Sequence, residues 1–348
     1  MVSLVLTVCL AMQTDVCAQR LLPVATVETQ AQCQASAVER LAAWQARHPQ
    51  FVASEWSCKT PDLSPLAVKE VAPGIWVHKG LNEIPSPENA SDLANIGFVI
   101  GEEAVAVIDA GGSRLVAERL LLAIREKTDL PIRWLVLSHM HPDHVMGASL
   151  FVDAGVPVVG SPTLPAALQA RAETYEANYD RLIGPQQMIL SQVIDPEGIT
   201  TDVSQLDLGK RRLLLSAHPT AHTNNDLTVY DPNSKTIWMA DLVFAQHIPA
   251  LDGSIRGWIS VLDEMRPFDA RRLVPGHGPA SLPWPEGMQA TYDYLTALAG
   301  EVKEAIDSGE SLGSAVTHVG EDLRGNWMLF DEFNARNVTA AFAELEWE

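Results

Sequence analysis

No cysteine follows Cys58 in this chain of 348 residues; the four present stand at positions 9, 17, 33 and 58. Crowded into one small segment, they point to disulfide stapling in an oxidising compartment. No apolar run reaches the roughly 18 residues that a membrane-spanning helix requires. No Lys or Arg precedes Arg20, so the apolar residues 1–11 have the core of a secretory signal without its basic flank. Basic clusters are missing as well. Against 44 acidic residues stand 24 basic ones, a net charge of −20, and a surface that negative repels phosphate backbones and argues against a nucleic-acid partner. There is no Gly-x-Ser-x-Gly elbow, internal repeat or low-complexity tract.

What remains reads as an α/β protein with an appended start. Residues 1–18 read as a signal peptide, with an apolar N-terminal strand as the other reading. Residues 19–60 form a small cysteine-containing module, with a helix over 30–48 and a strand over 51–58, and one disulfide is expected among Cys17, Cys33 and Cys58. Two prolines mark residues 59–65 as a linker. Strand patterns follow at 68–71, 75–79, 97–100, 104–109, 132–138, 156–160, 212–217, 227–230 and 236–239. Helical periodicity occupies 115–126, 146–153, 163–183, 255–265, 286–307 and 335–346. Strands and helices alternating on this scale imply an α/β domain with two sheets or one large one.

The chemistry concentrates in Ser138-His139-Met140-His141-Pro142-Asp143-His144, directly after a buried strand. His and Asp supply the nitrogen and oxygen donors that zinc favours. The strand end sets His139 and His141 on one side, Pro142 bends the chain, and Asp143 and His144 open a helix where they can face a second ion. One such stretch cannot close two metal sites, and similar strand ends offer the rest. These are His222 in Ala221-His222-Thr223, Asp241 at the end of Thr236–Asp241, and His277 in Gly276-His277-Gly278, where glycine permits close backbone approach.

These stretches, with the earlier Asp109-Ala110-Gly111-Gly112, resemble the five ordered motifs of the metallo-β-lactamase superfamily over roughly residues 66–300. The resemblance implies a four-layer αβ/βα sandwich with the metals at one edge, a C-terminal helical extension over 301–348, and two Zn2+ ions. His139, His141 and His222 would hold the first ion, Asp143, His144 and His277 the second, and Asp241 would bridge. Asp109 would orient a ligand histidine. The cysteine module, residues 221–227, Asp241-Leu242-Val243-Phe244, Leu251-Asp252-Gly253-Ser254 and the ending from Arg336 are similar to the quinoprotein relay system zinc metallohydrolases. That similarity implies a periplasmic hydrolase linked to a quinoprotein dehydrogenase system, and names no substrate. Ala240 stands where that family more often has Gly.

A pair of zinc ions would share a hydroxide active near neutral pH, and Asp143 would orient it for attack on an ester, thioester, lactone or lactam. The same fold also hosts mononuclear iron dioxygenases, which would use His139, His222 and Asp241, and a non-catalytic metal-binding partner of a quinoprotein is a third reading. His218 and His247 are candidates for the substrate side. His218 and His222 are not a helical zinc pair, because Pro219 intervenes without a Glu.

Overall fold

The computed structural model describes residues 2–347. Its first element, β1 (Ser3–Leu10), is the centre of a three-stranded antiparallel sheet between β2 (Gln13–Leu22) and β3 (Phe51–Lys59), covered by α1 (Gln30–Arg47). A capping box starts α1: the Thr29 side chain accepts from Gln32 N while the Gln32 side chain accepts from Thr29 N. Leu4, Leu6 and Val8 alternate along β1 and pack with Cys33, Ala37 and Trp44 of the helix. Of the two readings of this stretch, the structure describes the apolar strand: its residues fill the module core, and β1 joins β2 to β3.

The expected disulfide among Cys17, Cys33 and Cys58 is present as Cys33–Cys58. Cys9 pairs with Cys17 across the β1–β2 hairpin, and Cys33 with Cys58, leaving no free cysteine among the described residues. The Cys9–Cys17 bridge is a second one, beyond the single disulfide expected. The Cys33–Cys58 bridge, spanning 25 positions, ties α1 to β3 and constrains the unfolded chain by about 3 kcal/mol.

Two larger sheets follow. The first runs in strict chain order from β4 (Val68–Ala72) through β5 (Ile75–His78), β6 (Ile96–Ile100), β7 (Val105–Ile108), β8 (Ile132–Val136) and β9 (Val158–Val159) to β10 (Ile199–Thr200). Helices α2 (Arg114–Lys127), α3 (Pro142–Val145), α4 (Ser149–Asp153), α5 (Leu164–Ile183) and α6 (Pro185–Met188) accompany it. The second sheet comprises β11 (Gln205–Asp207), β12 (Arg212–Ala217), β13 (Leu227–Asp231), β14 (Thr236–Phe244), β15 (Arg272–His277) and β16 (Leu282–Pro283). With it go α7 (Ile255–Met265), α8 (Gln289–Asp307), α9 (Leu312–Ala315) and α10 (Phe330–Leu345).

Period-two alternation explains the layering. Val105 and Val107 of β7 pack with Leu120 and Ile124 of α2, while Ala106 and Ile108 pack toward the second sheet. There Trp238 and Ala240 of β14 meet them, and Ile237 and Met239 turn to α7, α8 and α10. The result is the expected αβ/βα sandwich, with the central strands β7 and β14 buried on both faces. The boundary expected at residue 300 falls inside α8, which packs against α10.

Buried charge joins the N-terminal module to this sandwich. Arg114, fully buried, reaches Asp153 at 2.8 Å and Glu118 at 3.5 Å, and donates to Leu21 O at 2.7 Å. Arg20 donates to Ile189 O and Gln186 O, and His48 meets Asp153 at 3.1 Å.

Candidate metal centre

Strand ends on the same edge of the two sheets supply the site. β7 ends at Ile108, and Asp109 follows with φ 58°. Asp tolerates that left-handed conformation better than most residues. Its carboxylate accepts from Ser138 N and Ser138 Oγ, both at 2.8 Å, and meets His144 Nδ1 at 2.9 Å. Thus Asp109 fixes the start of the His-rich stretch and orients His144. His139 lies in the loop after β8. Pro142 occupies the first turn of α3, pre-set for a helix, with Asp143 and His144 immediately after it.

In the second sheet, alternation breaks at Ala240. Its φ is 45°, and the parallel register of β14 with β15 shifts on either side of it. That irregularity lets Asp241 leave the packed faces and enter the site. Gly276 of β15 is required beside it, because a Cβ there would stand 1.8 Å from Asp241 Oδ1. Such backbone strain gathers where function over-determines it.

All seven candidates converge. Ligand atoms of His139, His141, His222 and Asp241 lie within 4.8 Å of one another, as do those of Asp143, His144 and His277. The rings of His139, His141 and His222 form a near-equilateral triangle, with centroids 4.7 to 4.9 Å apart and planes almost perpendicular. Asp241 spans both groups. Its Oδ2 is 3.6 Å from His139 Nε2, 3.4 Å from His222 Nε2 and 3.4 Å from His277 Nε2, while Oδ1 is 3.0 Å from His144 Nε2.

The hydrogen bonds behind the rings decide whether a cation fits. His222 Nδ1 donates to Ala250 O at 2.6 Å and His277 Nδ1 to Leu93 O at 3.1 Å. His141 Nε2 donates to Asp252 Oδ2 at 3.1 Å, and His144 Nδ1 to Asp109. Ser138 Oγ spends its proton on Asp109, so His139 Nδ1 donates to that Oγ at 3.0 Å. With each outer nitrogen donating, a neutral ring has only a lone pair on its inner nitrogen. Three such lone pairs meet: His141 Nδ1 lies 3.1 Å from His139 Nε2 and 2.9 Å from His222 Nε2. Neutral imidazoles cannot satisfy one another that way, and a cation between them can. His144 Nε2 and Asp241 Oδ1, though 3.0 Å apart, are misaligned, and both are buried without a hydrogen-bond partner among the described residues. Nitrogen and carboxylate donors with no thiolate suit zinc.

Charge in the metal-free chain follows the same logic. Burial pushes His139 well below its ordinary pKa and His222 to about 3, so both stay neutral. Burial opposes protonation of His144 and His277 also, but the carboxylates outweigh it. Asp241, Asp143 and Asp109 raise His144 well above its usual range, and Asp241 and Asp143 bring His277 to about 9. In return, and against their own burial, Asp143 is held below the usual carboxylate range by His144 and His277, and Asp241 well below it by His144, His277 and His139. A divalent ion therefore displaces protons. Its affinity is expected to rise roughly a hundredfold per pH unit from about 7 to 9, as His144 and His277 each give up one proton, measured by chelator competition. An affinity flat across that range would remove His277 from the ligand set. In the metal-free chain the same raised pKa contributes stability fully below pH 6.5, which is lost as pH rises through about 9.

The centre opens into a cavity of about 610 Å3 lined by His141, Asp143, Asp241 and His277 of the cluster and by His247. His247 packs against His277, ring centroids 4.8 Å apart, and lines the cavity. His218 does not line the cavity; its ring is bonded to Thr228 Oγ1 at 2.9 Å, which corrects its expected place at the substrate side. Sequence reasoning missed Asp252, which holds His141 from 111 positions away, and the carbonyls of Ala250 and Leu93. It also missed Asp226, which accepts from Thr223 N and Oγ1 and closes the turn beside His222. Asp252 and Asp226 lie within stretches already singled out, but spacing alone does not say what they hold.

Comparison with known proteins agrees with this geometry. The family model described as the metallo-beta-lactamase superfamily matches residues 92–277, more than half the chain. A linear primary-alkylsulfatase from Pseudomonas sp. (strain ATCC 19151) is 23% identical over 210 residues, 51% of this chain and 40% of that protein, so the chain spans well under half of its relative's length. Among solved structures, a metallo-beta-lactamase from Pontibacter korlensis superposes with a TM-score of 0.53 at 20% identity, covering 66% of this chain and 99% of that one. The DIM-1 metallo-beta-lactamase exposed to ceftazidime gives 0.50 at 17% identity, covering 68% and 99%. At such identities the two structures speak for the fold. By its family match, its sandwich and its buried His/Asp cluster, this chain belongs to the metallo-beta-lactamase superfamily.

Proposed function

We propose that the chain is a binuclear zinc-dependent hydrolase acting on an ester, thioester, lactone or lactam bond of a small molecule. The observation that carries this reading is the Asp241 carboxylate, which faces His139, His222 and His277 with one oxygen and His144 with the other. A single ion would leave half of that donor set without a purpose. His139, His141 and His222 would hold one zinc, Asp143, His144 and His277 the other, and Asp241 would bridge them. When bound, the ions supply Lewis acidity and a nucleophile active near neutral pH. Asp143, ionised and lining the cavity, is placed to accept a hydrogen bond from the attacking water and orient it. Phe244 and Leu251 keep that side of the cavity apolar, which strengthens every electrostatic contact inside it.

Elemental analysis of the purified protein, paired with a hydrolytic panel, tests the reading. About two zinc per chain and turnover of at least one substrate are expected. The panel includes primary alkyl sulfates, the substrate class in the name of the curated relative. One iron with negligible zinc would replace the hydrolase with a dioxygenase, and two zinc without turnover would favour a non-catalytic metal-binding partner. The two disulfides support export to an oxidising compartment such as the periplasm. A link to a quinoprotein dehydrogenase system rests on the sequence resemblance alone.

A further inference from the structure

We propose that Arg336, on α10, anchors an anionic group that the substrate carries away from the bond being cleaved; this rests on the hydrolase reading and names the substrate class. Arg336 lines the same cavity as Asp143, Asp241 and His277. The other fully charged side chains lining it are carboxylates, Glu83, Asp252 and Glu332 as well as the two aspartates of the cluster, so Arg336 is the single Lys or Arg among the described lining residues. In so acidic a setting an arginine is expected to be paired, yet among the described residues it has no ion pair or hydrogen bond. Its recorded neighbour is the Phe333 ring, whose centroid is 6.0 Å from the guanidinium carbon. Glu332 stands one turn earlier, at the spacing where helix pairs form, and does not engage it. A guanidinium left open at a cavity is a fork for a carboxylate or a similar anion.

The helix that carries it is held in register with the metal centre. Asn337, the next residue, donates to Pro249 O at 2.6 Å and accepts from Leu251 N at 2.9 Å. Glu344 accepts from Ser254 Oγ and Ile255 N, both at 2.8 Å. The segment so gripped contains Ala250 and Asp252, which orient His222 and His141. Arg336 therefore stands at a set distance from the cluster, and Ile84, Leu182, Leu251 and Phe333 offer apolar surface in the same cavity. The matching substrate is amphiphilic: a cleavable group at the cluster, an apolar body, and an anion at the far end.

Calorimetric binding of straight-chain dicarboxylates and monocarboxylates of about four to ten carbons, to the protein as isolated with its metal, separates the two ends. At one chain length the dicarboxylate should bind roughly tenfold tighter than its monocarboxylate, the size of a hydrogen bond to a charged group. Arg336→Ala should abolish that preference while monocarboxylate affinity and metal content stay unchanged, and Arg336→Lys should restore part of it. Absence of any preference in the unaltered protein, a preference that survives Arg336→Ala, or an equal loss for both ligand series would each overturn the proposal. Because binding is read without turnover, a protein that shows the preference but hydrolyses nothing would refute the hydrolase reading and leave the anion site standing.

Discussion

Asp241→Asn is expected to empty at least one metal position and to lower kcat/KM by roughly a thousandfold or more, about 4 kcal/mol of barrier. Asn keeps the size of the side chain and removes the charge that balances two dications. The buried carboxylate is also the largest of the charges that raise His144 and His277 in the metal-free chain, so both pKa values fall when it is removed. The strand need not suffer. β14 is paired on both sides through backbone hydrogen bonds and packed through Ile237, Trp238 and Met239. Elemental analysis, kinetics and circular dichroism on one preparation test all three parts. Retention of both ions with less than a tenfold loss of activity would show that Asp241 does not bridge. His218→Ala is the control, expected to change neither metal nor turnover, since that ring is engaged with Thr228 outside the cavity.

The largest loss of stability is expected far from the metal, at Arg114→Met. Arg114 is fully buried between Asp153, Glu118 and the Leu21 carbonyl, where the N-terminal module meets α2 and α4. Methionine fills similar space and leaves two carboxylates buried without their main cation, a change that typically costs about 3–5 kcal/mol. Burial already raises the Glu118 pKa, despite Arg20 and Arg114. Urea denaturation measures the loss. Adding Asp153→Asn should return part of it by removing one of the stranded charges. If the single variant unfolds at the same urea concentration as the parent, the buried ions are not what holds the module in place.

How far the sequence could be read depended on the kind of information each element carries. Period-two alternation in Val105–Ile108 and the helical pattern over Arg114–Lys127 are local, and both elements were legible. The short strands β10 and β16 have two residues each, too few for a period, and exist because a neighbouring strand pairs with them. β15 was missed because Pro275 and Gly276 interrupt it, and both are tolerated beside the irregular register with β14. β1 is almost wholly apolar, which suits a signal core or a buried strand alike, and its pairing with β2 and β3 is non-local and could not be read. In the site, ligand types clustered in one short stretch were plain, because nothing structural requires three histidines and an aspartate within six positions. Residues that hold those ligands were not, since a carbonyl such as that of Ala250 has no side-chain identity to read.

The donor bonds behind the five histidines have a consequence for how the protein handles loss of its ions. Where metal ligands hang from an otherwise unstructured chain, chelation unfolds the protein and recovery must wait for refolding. Here each ring is anchored by a protein oxygen, and the anchors sit in short loops held between packed strands and helices. Chelation should then give an intact, inactive shell in which two protonated histidines stand in for the missing charge. Reconstitution becomes a matter of diffusion and proton release, and the empty protein can survive a period of metal starvation without being rebuilt.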